Sequence, residues 1–119
     1  VKARSYFGGG LWFEIKGSEI IGDNANDQLM NLAMNAAGDR IAAGAGQGNG
    51  GLGYIKVYDN ASGNGWEQIG GRLVGLDDNE NFGSDISMSA DGKRLLVGSP
   101  ARDNSSILAR VRLFELVDK

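Results

Sequence analysis

The chain repeats itself at a fixed step. Trp12 and Trp66 are 54 positions apart, and at the same step Ile15 meets Ile69, Gly17 meets Gly71, Asp23 meets Asp77, Met34 meets Met88, Ala36 meets Ala90, Gly38 meets Gly92, Arg40 meets Arg94 and Gly44 meets Gly98. These are nine identities in the 35 ungapped pairs from Trp12/Trp66 to Gly46/Pro100, against roughly two or three expected from average residue usage. A unit that recurs in this way cannot bury both of its own faces and must stack on a neighbour. The 119 residues therefore read as copies of one unit rather than as an ordinary single domain.

Within each copy the pattern is that of short strands between glycine- and asparagine-rich turns. In the second copy Ile86 and Met88 alternate with Asp85, Ser87 and Ser89, so a half-buried strand is expected over 84–89. Ala90-Asp91-Gly92 supplies a tight turn, because glycine tolerates positive φ and aspartate bonds its own backbone. Arg94-Leu95-Leu96-Val97-Gly98 is continuously apolar after the arginine, as expected of a strand packed on both faces. A polar loop at 103–106 leads to a third strand over 109–116, with Val111 and Leu113 on one side and Arg110, Arg112 and Phe114 on the other. The first copy follows the same plan with Leu32 and Met34, then Gly38, Arg40 to Gly44, and Tyr54 to Tyr58; its fourth strand is Trp66 to Gly70, matched by Trp12 to Gly17 from a preceding unit.

Aligning Tyr6 with Tyr58 and Phe114 makes 1–7 a third-type strand. The frame expected is then 1–17 as the last two strands of a preceding unit, 18–70 as the first full repeat and 71–119 as a second repeat whose fourth strand is missing. Four-stranded antiparallel units at this period point to an all-β fold of two propeller-type blades. Rings of that kind hold about four to eight blades, so either the protein has more blades than this chain or several copies cover one another's edges. The start at Val1 fits a processed product or a piece of something longer.

Composition closes off much chemistry. The chain has no cysteine and no histidine, which removes disulfides, thiolate nucleophiles, Ser-His-Asp triads and His- or Cys-ligated zinc. Twelve basic against fifteen acidic residues give a net charge of −3 without any Lys/Arg run, unlike a nucleic-acid surface, local spots such as Arg110 and Arg112 aside. No apolar run approaches a membrane span and no signal-like segment opens the sequence. At 41% hydrophobic and 23% charged residues the chain has the make-up of a folded protein.

The stretch from Trp66-Glu67-Gln68-Ile69-Gly70 through Phe82-Gly83 to Gly98-Ser99-Pro100 resembles FG-GAP-like, integrin-alpha-like β-propeller repeats, of the kind seen in surface or secreted repeat proteins of diatoms and marine bacteria. Phe82-Gly83 and Gly98-Ser99-Pro100 match the two name-giving elements; in the first copy Gln28-Leu29 and Gly44-Ala45-Gly46 stand in their places. The resemblance implies a non-enzymatic module that presents loops for protein or surface binding, outside the cell or on its surface. A glycan-binding module, and an accessory subunit of a larger soluble or lumenal assembly, are the alternatives. Integrin-like members hold calcium in a D-x-D-x-D-G loop, whereas the matching turns here are Ser89-Ala90-Asp91-Gly92 and 35–39, without that ligand set.

The remaining metal candidates are Asp77, Asp78 and Glu80, with Asp23 and Asp27 at the matching place; clustered oxygens suit Ca2+, although such sequences more often form solvated turns. Gly46-Gln47-Gly48-Asn49-Gly50-Gly51 satisfies G-x-G-x-x-G, but the strand expected at Tyr54 leaves no helix to receive a phosphate. Trp12 and Trp66 could stack on sugars, yet their identical place in each repeat favours packing between units. Asn60-Ala61-Ser62 and Asn104-Ser105-Ser106 are N-glycosylation sequons in expected loops. The repeat-defining positions are Trp12, Gly38, Arg40, Gly44, Trp66, Phe82, Gly83, Gly92, Arg94 and Gly98. No catalytic residue or cofactor site stands out, and the partners expected are further blades and an unidentified protein or glycan.

Overall fold

The computed structural model describes residues 3–5, 10–15, 17–63, 65–102 and 105–117. Its strands are β1 (Ala3–Ser5), β2 (Leu11–Phe13), β3 (Asn31–Met34), β4 (Arg40–Ala45), β5 (Tyr54–Asp59), β6 (Glu67–Gln68), β7 (Leu73–Val74), β8 (Asp85–Met88), β9 (Arg94–Ser99) and β10 (Arg110–Glu115). Strands β3 to β7 make one antiparallel sheet, β8 to β10 a second, and β1 with β2 a two-stranded ribbon; the described residues contain no closed sheet. The fold is all-β apart from one helical turn, α1 (Gly48–Gly51).

The two sheets have the same internal register. Asn31 lies opposite Gly44 and Leu32 opposite Ala43, as Asp85 lies opposite Gly98 and Ile86 opposite Val97. Ile55 pairs with Gly44 as Val111 pairs with Gly98. Opposed residues share a face of a sheet, so the repeat seen in the sequence is a repeat of ladders.

One face of each sheet meets the other. Ala42, Ile55, Phe82, Leu95 and Val97 are the buried centre of this seam, with Ala33, Val57, Leu73, Ile86, Met88 and Phe114 packed around them. Burying each of the larger side chains contributes about 1.5–3 kcal/mol. At Gly44 the first sheet comes so close to the turn before β8 that a Cβ would run into the carbonyl of Gly83. Gly83 has φ of 93° and supplies a turn that a side-chain-bearing residue rarely adopts. Phe82 meets the ring of Phe114 edge to face, with centroids 5.8 Å apart.

Four expectations need correction. The strand 94–98 is not packed on both faces: Leu95 and Val97 are buried but Leu96 is 46% exposed. Leu32 and Met34, the counterparts of the half-buried Ile86 and Met88, are exposed, because the first sheet turns its other face to the second. The expected fourth strand 66–70 is only two residues long; the chain bends at Gly70, with φ of 63°, and pairs again with β5 as β7, so the first sheet runs past residue 70. The segment 46–51 contains α1, closed by Gly53 N–H donating to the Gly48 carbonyl at 2.9 Å, before the strand at Tyr54. Of the expected strand 1–7, the described part is Ala3–Ser5; Val1, Tyr6, Phe7, the Trp12 side chain, Asp103 and Asn104 lie outside the described residues.

Candidate interaction surface

The side chains on the two outward faces of the sheet pair are the counterparts of those inside the seam. At the 54-residue step, with 56 for the third strand after the longer loop, Ala42, Ile55 and Val57 correspond to Leu96, Val111 and Leu113. The first three line the seam from the first sheet. Their counterparts are 46%, 70% and 63% exposed on the free face of the second sheet. In the opposite direction Ile86 and Met88 line the seam from the second sheet, and Leu32 and Met34 are 69% and 61% exposed on the free face of the first. Leu96, Val111 and Leu113 on one face and Leu32 and Met34 on the other are thus exposed apolar patches, of the kind found at interaction surfaces.

The polar end of the seam follows the same rule. The Arg40 Nε lies 3.0 Å from Asp59 Oδ1, and Nη1 donates to the Gly92 carbonyl of the next repeat at 2.7 Å. Asn35 Oδ1 accepts from the Arg40 and Asp39 N–H groups and holds the turn. One residue on, Ala36 N–H donates to the Ala90 carbonyl at 2.9 Å, so the hairpin turns of the two repeats are joined through their backbones. In the second repeat Ser89 Oγ takes the role of Asn35 and accepts from Arg94 N–H, while Arg94 Nε reaches Glu115 at 3.3 Å. The Arg40 and Asp59 side chains are 15% and 19% exposed, and those of Arg94 and Glu115 are 61% and 59% exposed. Gly38 and Gly92 both have φ of 75° at the tip of these turns.

The acidic loops are locks on the chain rather than open clusters. Asp27 and Glu80, 53 residues apart (80 − 27), are both buried. Asp27 Oδ2 accepts from Asn24 N–H at 3.0 Å and from the Tyr54 hydroxyl at 2.7 Å. Glu80 Oε1 accepts from the N–H groups of Leu76 and Asp77, and Oε2 from the Ser99 hydroxyl at 2.8 Å. Asn26 and Asn79, and Gln28 and Asn81, have matching positive φ values of 72°, 67°, 57° and 58°, so the repeat step inside this loop is 53 rather than 54, and Asp23 is not the counterpart of Asp77.

Charges complete both loops. Asp23 pairs with Lys56 and Arg72, whose hydrogen bonds hold its carboxyl below the ordinary 3.8. Asp77 pairs with Arg110 at 3.2 Å, and Asp78 is exposed. Burial by itself would raise Glu80, but the Leu76 N–H, the Ser99 hydroxyl, the Asp77 N–H and the Arg110 charge outweigh it and hold the carboxyl below 4.5. Burial pushes the Tyr54 hydroxyl above its ordinary 10.0. Among the described residues no three carboxylates gather into a group that could hold a metal ion.

Arg112 has a place that sequence reasoning missed. Its guanidinium sits inside the seam, 5.1 Å from the Phe82 ring centroid and 4.8 Å from that of Phe114, an arrangement that stabilises a partly dehydrated cation. Alternation alone would have buried the Val111/Leu113 side of β10, whereas the Arg112/Phe114 side is the one turned inward. At the open edge of the seam, Val57, Leu73, Met88, Leu95 and Phe114 line an apolar groove of about 180 Å³, rimmed by Arg94 and Glu115. Trp66 is half-buried beside Gly17 and lies outside the core cluster. The Asn60 side chain of the first sequon accepts from Gly65 N–H at 2.9 Å. No described helix is long and apolar enough to cross a membrane.

Comparisons with family models, with curated proteins and with solved structures find no match.

Proposed function

We propose that the chain is a non-enzymatic structural and interaction module made of stacked propeller-type, FG-GAP-like repeats, which presents its loops and free sheet faces for protein or surface binding outside the cell. The observation that carries this reading is the correspondence of ladders. Two sheets with identical register face each other through opposite faces, and the seam residues Ala42, Ile55, Val57, Ile86 and Met88 have exposed repeat counterparts in Leu96, Val111, Leu113, Leu32 and Met34. Stacking of this kind is how repeat proteins build a continuous core from units that cannot fold alone. The loops at 23–28 and 77–81 are fastened by Asp27 and Glu80, and contacts of this kind lower the ordering cost of presenting side chains.

Backbone amide exchange tests this reading through the shared core. In a stacked-repeat module Leu95→Ala, made in the second sheet, lowers protection of β4 as much as that of β9, because both lose the same seam. Loss confined to β9 would show two independent sheets and overturn the reading. Titrating the tryptophan emission with a panel of soluble polysaccharides separates the glycan-binding alternative, which requires a saturable shift; none is expected here.

A further inference from the structure

We infer that the chain associates head to tail with copies of itself, the Leu96/Val111/Leu113 face of one copy covering the Leu32/Met34 face of the next. This rests on the stacked-repeat reading and names the occupant of its free faces. The seam inside the molecule is a worked instance of the contact: Ala42, Ile55 and Val57 share one packed cluster with Ile86 and Met88. Moving that contact forward by one repeat replaces the first group by Leu96, Val111 and Leu113, and moving it back by one repeat replaces the second group by Leu32 and Met34. Both replacement groups are exposed and apolar. A second copy therefore already displays a matching surface.

The polar contacts carry over atom by atom. Arg40 Nη1 donates to the Gly92 carbonyl, and Ala36 N–H to the Ala90 carbonyl. The repeat counterparts are Arg94 with Gly38, and Ala90 with Ala36. In the assembly Arg94, already aimed by Glu115 at 3.3 Å, donates to the Gly38 carbonyl of the following copy, and Ala90 N–H to its Ala36 carbonyl. The Arg94 and Glu115 side chains, 61% and 59% exposed in one copy, then reach the burial of Arg40 and Asp59. Two different faces meet in this contact, so it is heterologous: it closes a ring if the rotation per copy divides the circle and otherwise runs on as a fibre.

The test uses three forms of the full chain, measured by light scattering over a range of concentrations. The unmodified chain is expected to gain mass with concentration. The tail variant Val111→Asp/Leu113→Asp and the head variant Leu32→Asp/Met34→Asp are each expected to stay monomeric, and their equimolar mixture to stop at a dimer, since one intact face of each kind remains. All four side chains are exposed in the single copy, so thermal unfolding of each diluted variant should match that of the diluted parent. Arg94→Ala should weaken association about tenfold, the effect of losing one hydrogen bond from a charged donor. An unmodified chain that stays monomeric throughout, a single variant that dimerises with itself, or a mixture that stays monomeric would overturn the inference. Coupled exchange of β4 and β9 alongside such a result would leave the stacked-repeat reading standing and remove self-association alone.

Discussion

Arg40 and Gly92 are joined across the seam by a 2.7 Å hydrogen bond from a guanidinium to a backbone carbonyl, which ties the second strand of one repeat's hairpin to the turn of the next. Arg94 holds the same place one repeat later and, among the described residues, pairs with the carboxylate of Glu115. Identical residues in identical ladders therefore differ in what they contribute. Arg40→Ala is expected to cost about 2–3 kcal/mol, since the Gly92 carbonyl and Asp59 lose a largely buried charged donor. Arg94→Ala should cost less than about 0.5 kcal/mol in the dilute chain, as exposed pairs do. Urea unfolding of both variants checks the contrast.

Glu80→Ala removes a buried carboxylate and leaves the N–H groups of Leu76 and Asp77 and the Ser99 hydroxyl without their acceptor. A loss of about 2–4 kcal/mol is expected. Tyr54→Phe, which removes the donor to Asp27 and the acceptor for Asp23 N–H, should cost about 1–2 kcal/mol. Chemical denaturation of both variants gives the two figures on one scale.

Stability should fall on the acid side. The carboxyls of Glu80 and Asp23 titrate lower in the folded chain than their ordinary values of 4.5 and 3.8. Their contribution is therefore complete above those values and is lost as pH falls through the lower folded ones. The melting temperature should be level from neutral pH down to about 5 and then drop, and Glu80→Gln should flatten that drop while lowering the neutral plateau. Tyr54 acts in the opposite direction: its folded value lies above 10.0, so its contribution is complete below 10.0 and lost as pH rises further. Tyr54→Phe should remove that alkaline component.

Gly44→Ala should be among the most damaging single substitutions, at about 3 kcal/mol or more, because the new methyl meets the Gly83 backbone rather than a side chain that can turn away. Its repeat counterpart Gly98 faces outward, and a Cβ there comes no nearer than 3.3 Å, to the Asp85 Cβ. Gly98→Ala is expected to cost about 1 kcal/mol or less in the dilute chain. Thermal melts of the pair measure whether the close approach is confined to the covered face.

The 54-residue step was legible because strand ladders keep their register: Met34/Met88, Arg40/Arg94 and Gly44/Gly98 sit at fixed ladder positions, where an insertion would flip every side chain. The loop between repeats is not bound by that rule, and the identities Gly22/Gly75 and Asn26/Asn79 at a step of 53 were the signal that its register slips by one. Taking 54 throughout paired Asp23 with Asp77 and hid the real equivalence of Asp27 and Glu80, which keep the same role with different lengths and partners. A sequence shows the carboxylates of these loops but not the backbone N–H groups and hydroxyls that bind them. The outward placement of Leu96, Val111 and Leu113 was hidden for another reason: hydrophobic alternation states that a face is to be covered, not by which molecule.

The most direct test of the stacked arrangement uses the absence of native cysteine. Ala36 and Ala90 are both exposed and joined through their backbones at 2.9 Å, so Ala36→Cys/Ala90→Cys treated at high dilution with a short bismaleimide should form one intramolecular cross-link in nearly every molecule. Two thiols that are each modified singly, with no cross-link, would contradict the face-to-face stacking of the repeats.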